Sequence, residues 1–149
     1  MCSSDLALAW YLDVHRPGGA GVTWWRSMVA VALGGVVGCL ARWLLSVALN
    51  RYLPLMPPGT LAANLIGGYI IGAAVALFTL NPAMPVEWRL FVMTGFCGGL
   101  TTFSTFSVEV VLLMQSGRLP WAMATIAAHL FGSLLMTFAG IATVTWARS

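Results

Sequence analysis

The chain has very few charged side chains. Of its 149 residues only 7% are charged, whereas 60% are hydrophobic, and a soluble globular domain carries about a quarter charged residues. So few charges cannot cover the surface of a soluble domain of this length, but lipid can surround outward-facing Leu, Val, Ile and Ala directly. The composition therefore predicts a single integral membrane domain.

The chain also lacks lysine, basic runs and catalytic motifs. Its formal charge of +3 comes from arginines spread along the sequence, so nucleic acid is not an expected partner. The three cysteines form no CxxC pair, which argues against a disulfide or a cysteine metal site. There is no HExxH, GxSxG, phosphate-binding loop or carboxylate pair. We therefore do not expect an enzyme.

We do not expect a secretory signal peptide in the N-terminal stretch. Residues 1–25 contain no basic n-region and no long apolar core followed by a small-residue cleavage site. We expect residues 1–27 to form a poorly ordered extension and residues 28–149 to form a four-helix transmembrane domain.

Four apolar segments are long enough to cross a bilayer, which takes about 20 helical residues. They lie near residues 28–49, 59–80, 89–115 and 121–146, and the stretches between them carry Pro, Gly and charged residues. Aromatic residues typical of headgroup depth stand at the segment ends: Trp24, Trp25, Tyr52, Trp88, Trp121 and Trp146. The pattern predicts an all-α protein with four transmembrane helices per subunit.

The arginines give the chain almost no preferred orientation. If the helices run up and down, Arg26, Arg89 and Arg148 lie on one side and Arg51 and Arg118 on the other. An excess of positive loops normally sets orientation, so a chain without that excess is able to insert both ways. We therefore hypothesise an antiparallel dimer of oppositely inserted copies.

The third segment contains poor material for an unbroken helix. Gly95, Gly98 and Gly99 precede a run of hydroxyl residues near mid-membrane depth. Broken backbone at that depth is tolerated only when buried in protein or facing a cavity. The freed carbonyls can hold a cation and the freed amides an anion. Glu109 follows on the same segment, and a carboxylate there must be paired, protonated or near an interface.

Polar residues form stripes on two other segments. Thr60 and Asn64 share one face of the second segment. On the fourth segment four polar residues recur at i, i+4 intervals: Thr125, His129, Ser133 and Thr137. Such stripes either join helices by hydrogen bonds of about 1 kcal/mol each or line an aqueous track. Spacing alone leaves both readings open.

Three sequence elements resemble the CrcB, or Fluc, family of fluoride channels. They are GFCGGLTTFSTFS at 95–107, GTLAANLIGG at 59–68 and GGVVGCLARW at 34–43, and the resemblance covers roughly residues 28–147. It implies an antiparallel dual-topology homodimer in a bacterial inner membrane, with two fluoride pathways. The implied function is passive fluoride export, down the electrochemical gradient, that relieves fluoride toxicity.

The resemblance also implies roles for individual residues. Phe103 and Phe106 would present ring edges to fluoride, and Asn64 would supply an amide donor between them. Thr60, His129 and Ser133 would lie along the pathway. Glu109 would lie near a pore mouth. A structural sodium ion at the dimer centre would be held by backbone carbonyls around Gly98 and Thr101 of both subunits.

Two other classes of function compete with the channel. A proton-coupled small exporter would use Glu109 as its proton carrier, although comparable exporters place that carboxylate in the first helix, where this chain has none. A non-transporting membrane assembly subunit would use the polar stripes only to bind partner helices.

Overall fold

The computed structural model describes residues 24–51 and 57–148, and in these residues it is all-helical. Four helices are long and apolar enough to cross a membrane: α1 (Trp24–Leu49), α2 (Pro58–Leu80), α3 (Val86–Gln115) and α4 (Leu119–Trp146). The four predicted spans are confirmed, with starts at 24, 58, 86 and 119 against the expected 28, 59, 89 and 121. Of the predicted extension, residues 1–23 lie outside the described residues, and 24–27 begin α1.

Local chemistry accounts for the helix ends. Pro58 and Pro120 lie in the first turns of α2 and α4. Backbone N–H groups in a first turn have no partner within the helix, so a proline there costs no helical hydrogen bond. At the end of α3, Gly117 has a φ of 72°, and the Arg118 N–H donates to the Leu113 carbonyl at 2.9 Å. This glycine-dependent turn closes the helix end and sends the chain back as α4.

The outer surface of the bundle exposes many large apolar side chains. The tryptophans expected at headgroup depth are exposed: Trp24, Trp25, Trp88, Trp121 and Trp146; Tyr52 is outside the described ranges. In each span, at most 39% of the 18-residue apolar stretch that defines it is buried inside the protein. The remaining apolar surface must therefore face lipid or another protein.

Glycines allow two helix pairs to pack closely. The most extensive contacts join α2 to α4 and α1 to the first half of α3. A Cβ at Gly72 would collide with the Thr137 carbonyl oxygen, and one at Gly38 with the Phe96 carbonyl oxygen. The helix backbones therefore approach each other closely at these small residues.

The third helix is broken, as predicted. It begins α-helical at Val86–Arg89, continues as a π-helix over Leu90–Cys97, and has a short α-helical turn at Gly98–Leu100. Thr101 (φ −79°, ψ 155°) and Thr102 (φ −151°, ψ 115°) are extended. The α-helix resumes over Phe103–Gln115, so the break separates two half-helices.

Asn64 on α2 holds this break in place. The Thr102 N–H donates to Asn64 Oδ1 at 2.8 Å, and Asn64 Nδ2 donates to the Thr102 carbonyl at 3.2 Å. Thr102 Oγ1 in turn accepts from the Thr105 N–H at 3.2 Å and caps the second half-helix. Because unsatisfied backbone groups within a bilayer each cost several kcal/mol, one amide side chain makes the extended residue tolerable.

We predict that Asn64→Leu destabilises the protein, because it leaves the Thr102 N–H and carbonyl without partners at about 1–3 kcal/mol for each group. Thermal unfolding in detergent should show a clearly lowered midpoint. The control is Thr79→Val, whose hydroxyl bonds only to the Val75 carbonyl of its own helix. If Asn64→Leu and this control have the same unfolding midpoint, the proposed role of the amide is contradicted.

Candidate functional site

A cavity of about 880 Å³ lies beside the break in α3 and is lined by α2, α3 and α4. It brings together most of the residues that the sequence analysis singled out: Asn64, Gly98, Thr101, Phe103, Phe106, His129 and Ser133. Two of the predicted residues, Thr60 and Glu109, are not part of its lining. The cavity is therefore the candidate site, with a second polar contact beside it.

Two phenylalanines form the aromatic wall of the cavity. Phe103 and Phe106 lie on the first turn of the second half-helix, and their ring centroids are 5.4 Å apart in an edge arrangement at 61°. The edge of an aromatic ring carries partial positive charge and can meet an anion. Phe103 is nevertheless 79% exposed, so within one copy of the chain the cavity is open on this side.

His129 is the most buried polar residue of the cavity that belongs to α4. It is 5% exposed, and its ring lies 4.7 Å from that of Phe106, tilted by 32°. Its Nδ1 atom is 3.0 Å from Asn64 Nδ2. Its Nε2 atom is buried and has no hydrogen-bond partner in the part of the chain that the structure describes.

Two residues of the polar stripe of α4 line the cavity, and the other two bond to their own helix. His129 and Ser133 line the cavity. Thr125 Oγ1 donates to the Trp121 carbonyl at 2.9 Å, and Thr137 Oγ1 donates to the Ser133 carbonyl at 2.9 Å. The outer two members thus bond to their own helix, as threonines in apolar helices often do.

Thr60 and Glu109 form the second polar contact. Thr60 is 2% exposed, and its hydroxyl donates to Glu109 Oε1 at 2.5 Å. Thr60 lies one turn before Asn64 on α2, and Glu109 lies one turn after Phe106 on α3. The contact is therefore next to the cavity, and the membrane carboxylate is paired, which is one of the environments that the sequence allowed for it.

The break diverts the α-helical N–H donors of the two carbonyls that were expected to hold a cation. In an unbroken α-helix the Thr102 N–H would donate to the Gly98 carbonyl and the Thr105 N–H to the Thr101 carbonyl. Here these N–H groups donate to Asn64 Oδ1 and Thr102 Oγ1 instead. Gly98 is also exposed. Backbone carbonyl oxygens are suitable ligands for a hard cation, so the donor set fits sodium.

Metal binding by side chains has no comparable candidate. Within 24–51 and 57–148 no cluster of three His, Cys, Asp or Glu residues is placed to hold an ion.

Thr102 and Cys97 were not among the residues for which the sequence predicted a role. Thr102 both supplies the backbone groups that Asn64 binds and caps the second half-helix; a hydroxyl residue directly before a helix start is the signal that predicts such a cap. Cys97 is buried and lines the cavity. Nothing in its spacing distinguishes it from a packing residue.

Comparison with known proteins gives consistent matches over the helical region. The family model described as CrcB-like protein, Camphor Resistance (CrcB), matches residues 29–141. A protein of Pseudomonas paraeruginosa named fluoride-specific ion channel FluC is 59% identical over 122 residues, which are 82% of this chain and 96% of that protein.

Two further relatives carry the same name. The protein of Nitrosomonas europaea is 58% identical over 125 residues, covering 84% of this chain and 98% of the relative. That of Chromobacterium violaceum is 60% identical over 124 residues, covering 83% and 98%. The chain therefore belongs to the CrcB family.

Proposed function

We propose that the chain is a fluoride-selective ion channel of the bacterial inner membrane, through which fluoride leaves the cell down its electrochemical gradient. Its curated relatives are named fluoride-specific ion channels, and the chain is a multi-pass membrane protein with four spanning helices. The observation that carries the proposal is the cavity beside the broken helix, whose donors carry no fixed positive charge.

The chemistry of the lining suits a compact anion. Moving a small ion from water into a medium of low dielectric constant costs about 20 kcal/mol in the idealised Born picture, so protein donors must replace its water. Phe103, Phe106 and Ser133 line the cavity together with Asn64 and His129, and they include the aromatic, hydroxyl and N–H groups that the proposal needs. Because no arginine lines it, an ion bound there can also leave.

A second copy of the chain completes the site in this proposal. The exposure of Phe103 leaves a wall of the cavity missing in the single chain, and the apolar outer faces offer a surface for pairing within lipid. The near balance of arginines between the two sides allows opposite insertion. The proposed assembly is an antiparallel homodimer with two fluoride pathways.

Sodium is the proposed structural ion at the centre of this dimer. The Gly98 and Thr101 carbonyls, which the break frees from their α-helical donors, would hold it together with the same carbonyls of the second copy. Its charge would offset the partial negative charge that converging carbonyl oxygens place near an anion route.

The contact between Thr60 and Glu109 is proposed to lie near a mouth of the pathway. It adjoins the cavity without lining it. A proton-coupled exporter would need Glu109 as its carrier, and an assembly subunit would need no open polar cavity. Neither alternative is favoured by the curated relatives, which are named as channels.

Reconstituted protein should release fluoride from liposomes rapidly without a proton gradient, whereas chloride should stay inside. Parallel fluoride and chloride electrodes measure both. Phe106→Ile should lower fluoride release at least tenfold, because it removes a ring edge from the cavity. The matched control is Phe138→Ile on α4, whose ring is 70% exposed and outside the cavity lining.

Equal release of chloride, or fluoride release that survives in Phe106→Ile, would contradict the proposed pathway. Fluoride release only with an imposed proton gradient would favour the exporter, and no release from folded protein would favour the assembly subunit.

The C-terminus should be found on both sides of the membrane. One fusion carries a reporter at the C-terminus that fluoresces only in the cytoplasm, and the other carries a phosphatase that is active only in the periplasm. Both fusions should give signal at comparable levels. The double variant Arg118→Gln/Ala147→Arg, which moves positive charge to one side, should shift the signals strongly toward one orientation. A single exclusive orientation of the unmodified chain would contradict the antiparallel dimer.

A further inference from the structure

The backbone of Thr102 determines how the Asn64 side chain is oriented. A backbone N–H can only donate, so the Asn64 atom 2.8 Å from the Thr102 nitrogen must be the acceptor Oδ1. The other end of the amide, Nδ2, then faces the Thr102 carbonyl at 3.2 Å and His129 Nδ1 at 3.0 Å. Both hydrogens of the Asn64 amide therefore already have protein acceptors.

The orientation of Asn64 in turn determines the tautomer of His129. Nδ2 of an asparagine carries hydrogens and has no acceptor capacity, so Nδ1 of the imidazole must accept. A neutral imidazole has one accepting and one donating nitrogen. The proton of His129 is therefore on Nε2.

This leaves an unpaired donor on a residue that lines the cavity. Nε2 is buried and lacks a partner within the described residues, and an unsatisfied buried donor costs about 1–3 kcal/mol. The ring that carries it lies against Phe106 and lines the same cavity as Ser133, one turn further along α4. A buried donor without an acceptor, next to an aromatic ring and a hydroxyl, is suited to an anion that arrives from the cavity.

We propose that the Nε2–H group of His129 is the N–H donor that binds fluoride, and that Asn64 acts as a positioning residue. Asn64 holds the break in α3 with one amide hydrogen and holds His129 in the donating tautomer with the other. This assignment rests on the proposed function, which supplies fluoride as the anion. A neutral N–H donor binds fluoride without the fixed charge that would slow its release.

The direct test observes the histidine itself. The chain's other histidine is His15. A His15→Gln protein labelled with ¹⁵N-histidine and reconstituted in lipid therefore reports on His129 alone. We expect its NMR spectrum to show an unprotonated Nδ1 and a protonated Nε2. Fluoride, but not chloride, should shift the Nε2 resonances.

Two substitutions at His129 give an independent flux test. The glutamine side chain can bring an N–H close to the position of Nε2, whereas that of asparagine reaches only the position of Nδ1. In liposomes, fluoride release through His129→Gln should exceed that through His129→Asn at least tenfold. Chloride release should remain absent from both.

The outcomes separate this assignment from the proposed function. If the wild-type chain passes no fluoride, the function itself fails. If it passes fluoride and the two variants behave alike while folded, the donor assignment is wrong. Should both variants fail to fold, the NMR spectrum decides: an Nε2 resonance that fluoride leaves unchanged, or a protonated Nδ1, overturns the assignment.

Discussion

The architecture of the site depends on one requirement: an interrupted backbone inside a bilayer must find partners for its polar groups. The interruption at Thr102 meets it through the Asn64 side chain, which binds both the N–H and the carbonyl of that residue. Asn64 thereby takes the N–H group that would bond to the Gly98 carbonyl in an unbroken helix. A single side chain thus connects the stability of the broken helix with the polar groups that the break exposes.

From this constraint follows the character of the cavity. The second half-helix begins directly after the break, which presents Phe103 and Phe106 at the cavity wall. The amide that holds the break also contacts His129, so the orientation of a donor on α4 depends on the conformation of α3. The donors around the cavity are neutral, while the half-buried carboxylate of Glu109 is held by Thr60 beside it. Such a lining can replace the hydration shell of an anion without binding the anion so tightly that it cannot leave.

Much of the fold could be predicted from the sequence, because hydropathy, prolines and terminal tryptophans act locally. The break in α3 followed from glycines and hydroxyl residues at a depth where an apolar helix is expected. The placement of Phe103 and Phe106 beside Asn64 came from the family resemblance, since spacing alone favours ordinary packing for membrane phenylalanines. The cavity confirms that these residues lie together, and their roles in conduction remain predictions.

The rest was not predictable from one sequence, because it depends on pairs that are distant along the chain. Asn64 and Thr102 are 38 residues apart, and Thr60 and Glu109 are 49 apart. Helical spacing placed Thr125 and Thr137 on the same stripe as His129, but only packing decides which hydroxyls return to their own helix. The tautomer of His129 likewise depends on a backbone N–H of another helix.

The central claim, a passive pathway selective for fluoride, is tested most directly by its reversal potential. Purified protein in a planar bilayer, with a tenfold fluoride gradient and equal chloride and pH on both sides, should give a current that reverses at the fluoride equilibrium potential, about 59 mV in magnitude. That potential should stay unchanged when a pH gradient is added. Reversal near zero, or a reversal potential that follows the proton gradient, would contradict the account.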